Sequence, residues 1–120
     1  MERVRLLEHG GKTIVLLDFS HMSPCPEFQD LLKTAKKMIQ NHPVGTALTL
    51  TDISDSHFDP EVLNTFKDFT KKNKPYVKAS AVVGVSGLRE LALNVISRFS
   101  SREFRTFDNR DKAIEWLAVQ

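Results

Sequence analysis

The stretch Thr13-Ile14-Val15-Leu16-Leu17 decides the fold, and the rest of the chain can be interpreted outward from it. Its apolar residues follow one another without polar alternation, which is typical of a strand covered by helices on both faces of a sheet. We therefore expect residues 13–19 to form a central strand of an α/β domain. On the amino-terminal side, residues 4–8 form another short strand pattern, and Gly10 and Gly11 can supply the positive φ of a tight hairpin. This predicts an antiparallel first strand.

Helical and strand patterns alternate after residue 19. Prolines 24 and 26 fit the first turn of a helix, which ends before Pro43 and Gly45, and residues 46–53 predict the third strand. A helix starting at Asp59 and Pro60 precedes a strand at residues 76–85. The third predicted helix has apolar residues at spacings of three and four, namely Leu88, Leu91, Ala92, Val95, Ile96 and Phe99. The last predicted elements are a short edge strand at residues 104–107 and a helix after residues 108–111.

The predicted order is therefore β-β-α-β-α-β-α-β-α. Right-handed crossovers make most strands parallel, so the fold class is α/β with a mixed, mostly parallel five-stranded sheet and four helices.

Composition sets limits on function. The chain has 120 residues, 41% of them hydrophobic and 27% charged, which predicts a single soluble domain over residues 1–120. A net charge of +2 is too small for a nucleic-acid footprint. No apolar run approaches the roughly 20 residues of a membrane span, so we expect no integral membrane contact. The charged amino terminus lacks a secretory signal, which predicts a cytoplasmic protein.

The segments at the ends of two strands have similar sequences, Asp18-Phe-Ser-His21 and Asp52-Ile-Ser-Asp55. In parallel sheets the carboxyl ends of the strands meet at one edge, so Asp18 and Asp52 are expected to lie close together. Paired carboxylates there are candidate Mg²⁺ ligands for a metal-assisted hydrolase. The favoured interpretation is structural, because Asp and Ser after strands commonly bond loop amides. We therefore predict no metal, no cofactor and, in the absence of a G-x-S-x-G elbow, no enzyme activity.

Several phrases resemble one family of small bacterial domains. These are Leu50-Thr-Asp-Ile-Ser54, Phe58-Asp-Pro-Glu-Val62, Asn73-Lys-Pro-Tyr-Val77 and Ala79-Ser-Ala-Val-Val-Gly84, with Phe107-Asp108 and Trp116-Leu117 near the end. The chain resembles the STAS-like domains, and in particular the stand-alone, anti-sigma-factor-antagonist-like branch of uncharacterised function. The resemblance covers nearly the whole chain.

The resemblance implies a βα superhelix and a protein-binding surface around the helix after the third strand. In the antagonists, a partner kinase phosphorylates a serine at that helix start. Here Asp59 at the helix start is followed by Pro60 and Glu61, and not by a serine that a kinase could phosphorylate. We therefore predict a non-enzymatic regulatory or protein-interaction domain without the usual phosphoserine switch, which binds a protein partner or a second copy of itself. The predicted partner-binding residues are Asp52, Ser54, Asp55, Ser56, His57, Phe58, Asp59 and Glu61.

The leading alternative is a module for a small apolar or lipid-like ligand. The same architecture is similar to the core of the CRAL-TRIO lipid-binding domains, and a closed apolar cavity above roughly 300 Å³ would favour this class. A strand-to-helix turn at residues 84–89 offers free amides and an arginine for an anionic group. The ligand-binding residues under this alternative are Phe19, Ser20, Phe58, Ser86, Gly87 and Arg89.

Overall fold

A computed structural model describes residues 2–120 and confirms the predicted order of elements. The strands are β1 (Val4–His9), β2 (Lys12–Asp18), β3 (Ala47–Asp52), β4 (Val77–Val83) and β5 (Arg105–Phe107). The helices are α1 (Pro26–Gln40), α2 (Pro60–Asn73), α3 (Leu88–Ser100) and α4 (Arg110–Ala118), with a 3₁₀ turn at Lys74–Tyr76 between α2 and β4.

The strands form one mixed sheet in the order β1-β2-β3-β4-β5. β1 pairs antiparallel with β2 at one edge, whereas the remaining pairs are parallel. This confirms the predicted antiparallel first strand and the short last strand. The register places Asp18 opposite Asp52, so the two predicted strand-end carboxylates lie on neighbouring strands at the same edge of the sheet.

Alternate residues of β2 enter different hydrophobic cores. Val15 and Leu17 pack into a core with α1, α2 and Ile96 of α3, whereas Ile14 and Leu16 pack into a second core with α4. The central strand is therefore covered on both faces, as its unbroken apolar run predicts. Three helices share one face of the sheet and α4 alone covers the other.

α3 differs from the expectation raised by its apolar periodicity. Ile96 is buried, but four other large apolar side chains of the same helix are exposed. The neighbouring strand β5 has only three residues, so the sheet offers α3 little surface to cover at that edge. The spacing of apolar residues thus predicted the helix correctly. It did not predict that much of the apolar side of this helix is exposed to solvent.

The start of α2 is built as the sequence predicts. Asp59 is its N-cap and accepts a hydrogen bond from the Val62 amide at 2.8 Å, with Pro60 in the first turn. We expect Asp59→Ala to lower the free energy of unfolding by about 1 kcal/mol in urea denaturation, because one amide loses its acceptor. Asp59→Asn keeps an oxygen acceptor and should cost clearly less; equal losses for the two variants would contradict a capping role.

Candidate functional site

The two echoing strand ends form matching turns. Asp18 Oδ1 accepts hydrogen bonds from the amide and the hydroxyl of Ser20, and Asp52 Oδ1 accepts one from the Ser54 amide at 2.9 Å. The turns are joined by a hydrogen bond from the His21 amide to the Ser54 carbonyl at 2.8 Å. The aspartates therefore hold neighbouring loops in register, as the structural interpretation predicts.

A single guanidinium lies between the two carboxylates. Arg110, the first residue of α4, places Nε 2.8 Å from Asp52 Oδ2 and Nη2 3.1 Å from Asp18 Oδ2. Burial opposes ionisation of Asp18, but hydrogen bonds from Ser20 and the pairing with Arg110 outweigh it and lower the pKa of that carboxyl. Burial likewise opposes the charge on Arg110, while bonds to Asp52 and Asp18 raise its pKa above the ordinary value. The cluster fixes the start of α4 to the centre of the sheet.

This arrangement bears on the hypothesis that Asp18 and Asp52 are ligands of a metal ion. Asp18 and Asp52 do converge on a cation, and the cation is the guanidinium of Arg110. Within residues 2–120, no group of three or more metal-ligating side chains is found. The sequence contained one signal for the role of Arg110. A cation in the first turn of a helix is unfavourable beside the helix dipole, so its presence there indicates that carboxylates lie nearby.

A groove of about 540 Å³ lies between the loop that leads into α2 and the start of α3. Its walls come from residues 56–60 and Leu63 on one side and from residues 86–89 and Ala92 on the other. Four of the predicted partner-binding residues line it, namely Ser56, His57, Phe58 and Asp59. Ser56 is buried and donates its hydroxyl hydrogen to the Ile53 carbonyl at 2.7 Å, so its oxygen is engaged within the loop.

The other predicted partner-binding residues lie elsewhere. Asp52 is buried in the cluster with Arg110, and Glu61 is exposed in the first turn of α2 without lining the groove. Ser54 and Asp55 line a neighbouring hollow of about 320 Å³ together with Ser86 and Arg89. The structure therefore brings together the middle of the predicted loop and separates its two ends.

The residues of the ligand-binding alternative also divide. Ser86, Gly87 and Arg89 line the groove opposite Phe58. Phe19 is fully buried in the core of α1 and α2, and Ser20 is hydrogen-bonded to Asp18. Arg89 donates to the Gly84 carbonyl and to the Ser86 hydroxyl, so it braces the strand-to-helix turn.

Exposed apolar side chains extend from the groove along α3. We call this set the α3 stripe: Leu88 is 83% exposed, Leu91 61%, Val95 43% and Phe99 51%. Phe66 and Phe69 of α2, whose exposure would have supported a binding role for that helix, are buried instead. The α3 stripe is the feature that sequence reasoning missed, because apolar periodicity does not distinguish a covered helix face from an exposed one.

Positive charge borders the far end of the α3 stripe. The Nζ atoms of Lys67 and Lys71, both on α2, lie 5.5 and 5.3 Å from the centre of the Phe99 ring. Arg98 is exposed on α3 next to Phe99. The surface thus combines apolar contact area with a cationic border.

Comparison with known proteins identifies the family of this chain. The sequence profile of the SpoIIAA-like family matches residues 3–118. The chain belongs to the SpoIIAA-like family. This confirms the resemblance to STAS-like domains. The SpoIIAA-like chain is also similar in structure to an uncharacterised protein with a SpoIIAA-like fold from Shewanella loihica PV-4, with a TM-score of 0.74 and 17% identity over 95% of this chain and 91% of that one.

That likeness supports the fold alone. No curated protein matches the SpoIIAA-like chain. Within residues 2–120, none of the helices has the length and apolar character needed to cross a bilayer.

Proposed function

We propose that this SpoIIAA-like chain is a non-enzymatic protein-interaction domain of the cytoplasm, which binds a partner through the groove and the α3 stripe. The observation that carries this proposal is the exposure of four large apolar side chains on one helix. Exposed apolar residues scattered singly are ordinary, but a contiguous row beside a groove is typical of a protein contact surface. A partner segment with apolar side chains would remove this row from water.

The loop before α2 supports the same surface. His57 and Pro60 are exposed and Phe58 and Asp59 are partly so, and all four face the start of α3 across the groove. Asp59 occupies the helix start as its cap, and Ser56 is buried, so neither position presents a free serine hydroxyl to a kinase. Regulation by a phosphoserine at this helix start is therefore not part of the proposal.

The size of the interior cavity argues against the lipid-binding alternative. The apolar cavity beneath α2 and α3 has a volume of about 50 Å³. Pockets for drug-sized or lipid-like molecules occupy several hundred Å³. The larger groove is lined mostly by exposed and partly exposed residues, which suits a segment of another protein chain.

The test compares partner capture by variants that differ only in which exposed apolar residues are replaced. Leu88→Gln with Leu91→Gln removes the start of the α3 stripe, and the matched control, Val44→Gln with Val119→Gln, removes two equally exposed apolar residues elsewhere. Surface replacements of this kind change stability by no more than about 0.5 kcal/mol each. Proteins captured from an extract of the source organism are identified by mass spectrometry, purified, and titrated against each variant.

We expect at least one protein to bind the wild type and the control alike and to bind the Leu88/Leu91 variant at least about tenfold more weakly. Asp55→Ala with His57→Ala tests the loop in the same titration and should also weaken binding without a change in thermal stability. If every captured protein binds the Leu88/Leu91 variant as tightly as the control, the α3 stripe is not the binding surface. Sedimentation of the wild type at rising concentration shows whether the partner is a second copy.

A further inference from the structure

A cavity behind the groove, with Phe58 in the wall of both, is lined mainly by other residues. The cavity of about 50 Å³ lies between the sheet and helices α2 and α3, and most of its wall is apolar. Among the described residues that line it, Arg102 alone carries a charge. Arg102 is only 8% exposed. A guanidinium is thus held in the interior beside an apolar space.

The partners of Arg102 are all neutral. Its Nη1 donates to the Thr70 carbonyl at 3.2 Å, its Nη2 donates to the Ser80 hydroxyl, and its guanidinium carbon lies 4.7 Å from the centre of the Phe104 ring. No carboxylate within residues 2–120 forms an ion pair with it. Thr70 belongs to the last turn of α2, where the helix dipole supplies only about half an elementary charge.

This balance leaves positive charge without a counterion. Buried charges in proteins are ordinarily paired, because removal of an ion from water is costly unless an opposite charge compensates it. Burial lowers the pKa of Arg102 to about 10, which still leaves the side chain protonated at neutral pH. The bonds to Thr70 and Ser80 therefore position the guanidinium without neutralising it.

Hydroxyl groups near Arg102 add further donors. The Thr49 hydroxyl donates to the Ser80 hydroxyl oxygen at 3.0 Å, so the hydroxyl hydrogen that this bond leaves available belongs to Ser80, just behind the cavity wall. Thr49 and Thr51 line the cavity together with Arg102. Arg102 and the Thr51 hydroxyl therefore offer hydrogen-bond donors to an anion from this wall, while Phe66, Phe69 and Ile96 contribute an apolar remainder.

We infer that the cavity binds a small monocarboxylate, with its carboxylate on Arg102 and a short alkyl group against the phenylalanines. The volume of about 50 Å³ sets the size of the ligand, since it holds roughly three to five water-sized groups. Acetate and propionate have that number of non-hydrogen atoms. A long-chain fatty acid does not fit.

The test titrates isotope-labelled wild-type protein with sodium propionate, propionamide and sodium hexanoate at constant ionic strength, followed by NMR. Propionamide has nearly the shape of propionate without its charge. We expect saturable shifts at the Arg102 Nε–H and the Ser80 amide, with propionate binding at least about tenfold more tightly than propionamide. Hexanoate should bind more weakly than propionate because the cavity is too small for it.

The opposite results would overturn the inference. Equal binding of propionate and propionamide would show that the charge of the ligand plays no role. The absence of saturable propionate binding would show that the cavity does not bind a monocarboxylate. Tighter binding of hexanoate, with shifts along the α3 stripe, indicates adsorption to that apolar surface instead. These comparisons need only the wild type. Arg102→Gln should abolish propionate binding where it folds, and the exposed Arg98→Gln is the matched control that should leave it unchanged.

Discussion

Replacement of Gly84 with alanine is expected to destabilise the fold by about 3 kcal/mol or more. Gly84 follows β4 with a φ of +87°, a conformation that costs any L side chain energy. A Cβ at this position would also collide with the backbone nitrogen, the Cα and the hydroxyl oxygen of Ser54.

The neighbouring loop has little freedom to relieve the collision. The Ser54 amide donates to Asp52, and the Ser54 carbonyl accepts from the His21 amide. A shift of Ser54 would therefore break the bonds that join the two strand-end turns, and the conformational and steric costs add. We expect the midpoint of urea denaturation to fall accordingly.

Gly87→Ala is the matched control for the steric part of this prediction. Gly87 also has a positive φ, +54°, but a Cβ there meets nothing within 4 Å. Its replacement should cost only the conformational part, about 1–3 kcal/mol for a sparsely populated backbone region, and less than the replacement of Gly84. Similar losses for the two variants would show that contact between Gly84 and the Ser54 loop contributes nothing.

Arg110→Met is expected to lower the free energy of unfolding at neutral pH by about 2–3 kcal/mol. The variant leaves the carboxylates of Asp18 and Asp52 side by side on neighbouring strands, with Arg3, 3.9 Å from Asp18 Oδ1, as the remaining cation beside them. The expected loss is placed below that of a fully buried pair, because the Arg110 side chain is partly exposed and solvent screens it.

The pH dependence of this loss follows from the sign of the pKa shift. In the wild type the pKa of Asp18 is lowered from 3.8, so its contribution to stability is present above that value and is lost as the pH falls through the folded-state pKa. In the variant the two carboxylates repel each other, and protonation of one of them relieves the repulsion. The difference between wild type and variant should therefore shrink on acidification from neutral pH to about pH 4.

Urea denaturation at both pH values checks this prediction. Arg98→Met, at an exposed arginine, is the matched control and should change little at either pH. Addition of Asp52→Asn to Arg110→Met should restore part of the stability by removal of the repulsion. A loss for Arg110→Met that is the same at both pH values would mean that packing of α4, and not charge, explains the effect.

Local patterns predicted most of the fold. The apolar run of β2 predicted a strand covered on both faces, and Asp59 with Pro60 predicted the start of α2, because each of these signals acts between near neighbours. The meeting of Asp18 with Asp52 was predictable as well, since parallel strands bring equivalent ends to one edge.

The rest depends on contacts between distant parts of the chain. Arg110 is 58 residues from Asp52, and no spacing rule connects them. The exposure of Leu88 and Leu91 depends on how little sheet lies beneath α3, which is a property of the three-residue β5 and not of the helix itself. The neutral surroundings of Arg102 likewise arise from residues of α2, β4 and the loop that follows α3.

The solitary position of α4 has a consequence during synthesis. Every strand of the sheet precedes this helix in the chain, so the face formed by Ile14, Leu16, Leu48 and Leu50 stays bare until the residues from 110 onward have left the ribosome. A nascent chain stalled before that point exposes the apolar side chains on this face of the sheet. The helices of the other face, α1, α2 and α3, have by then been synthesised. Chaperones that hold emerging polypeptides would find their binding site there.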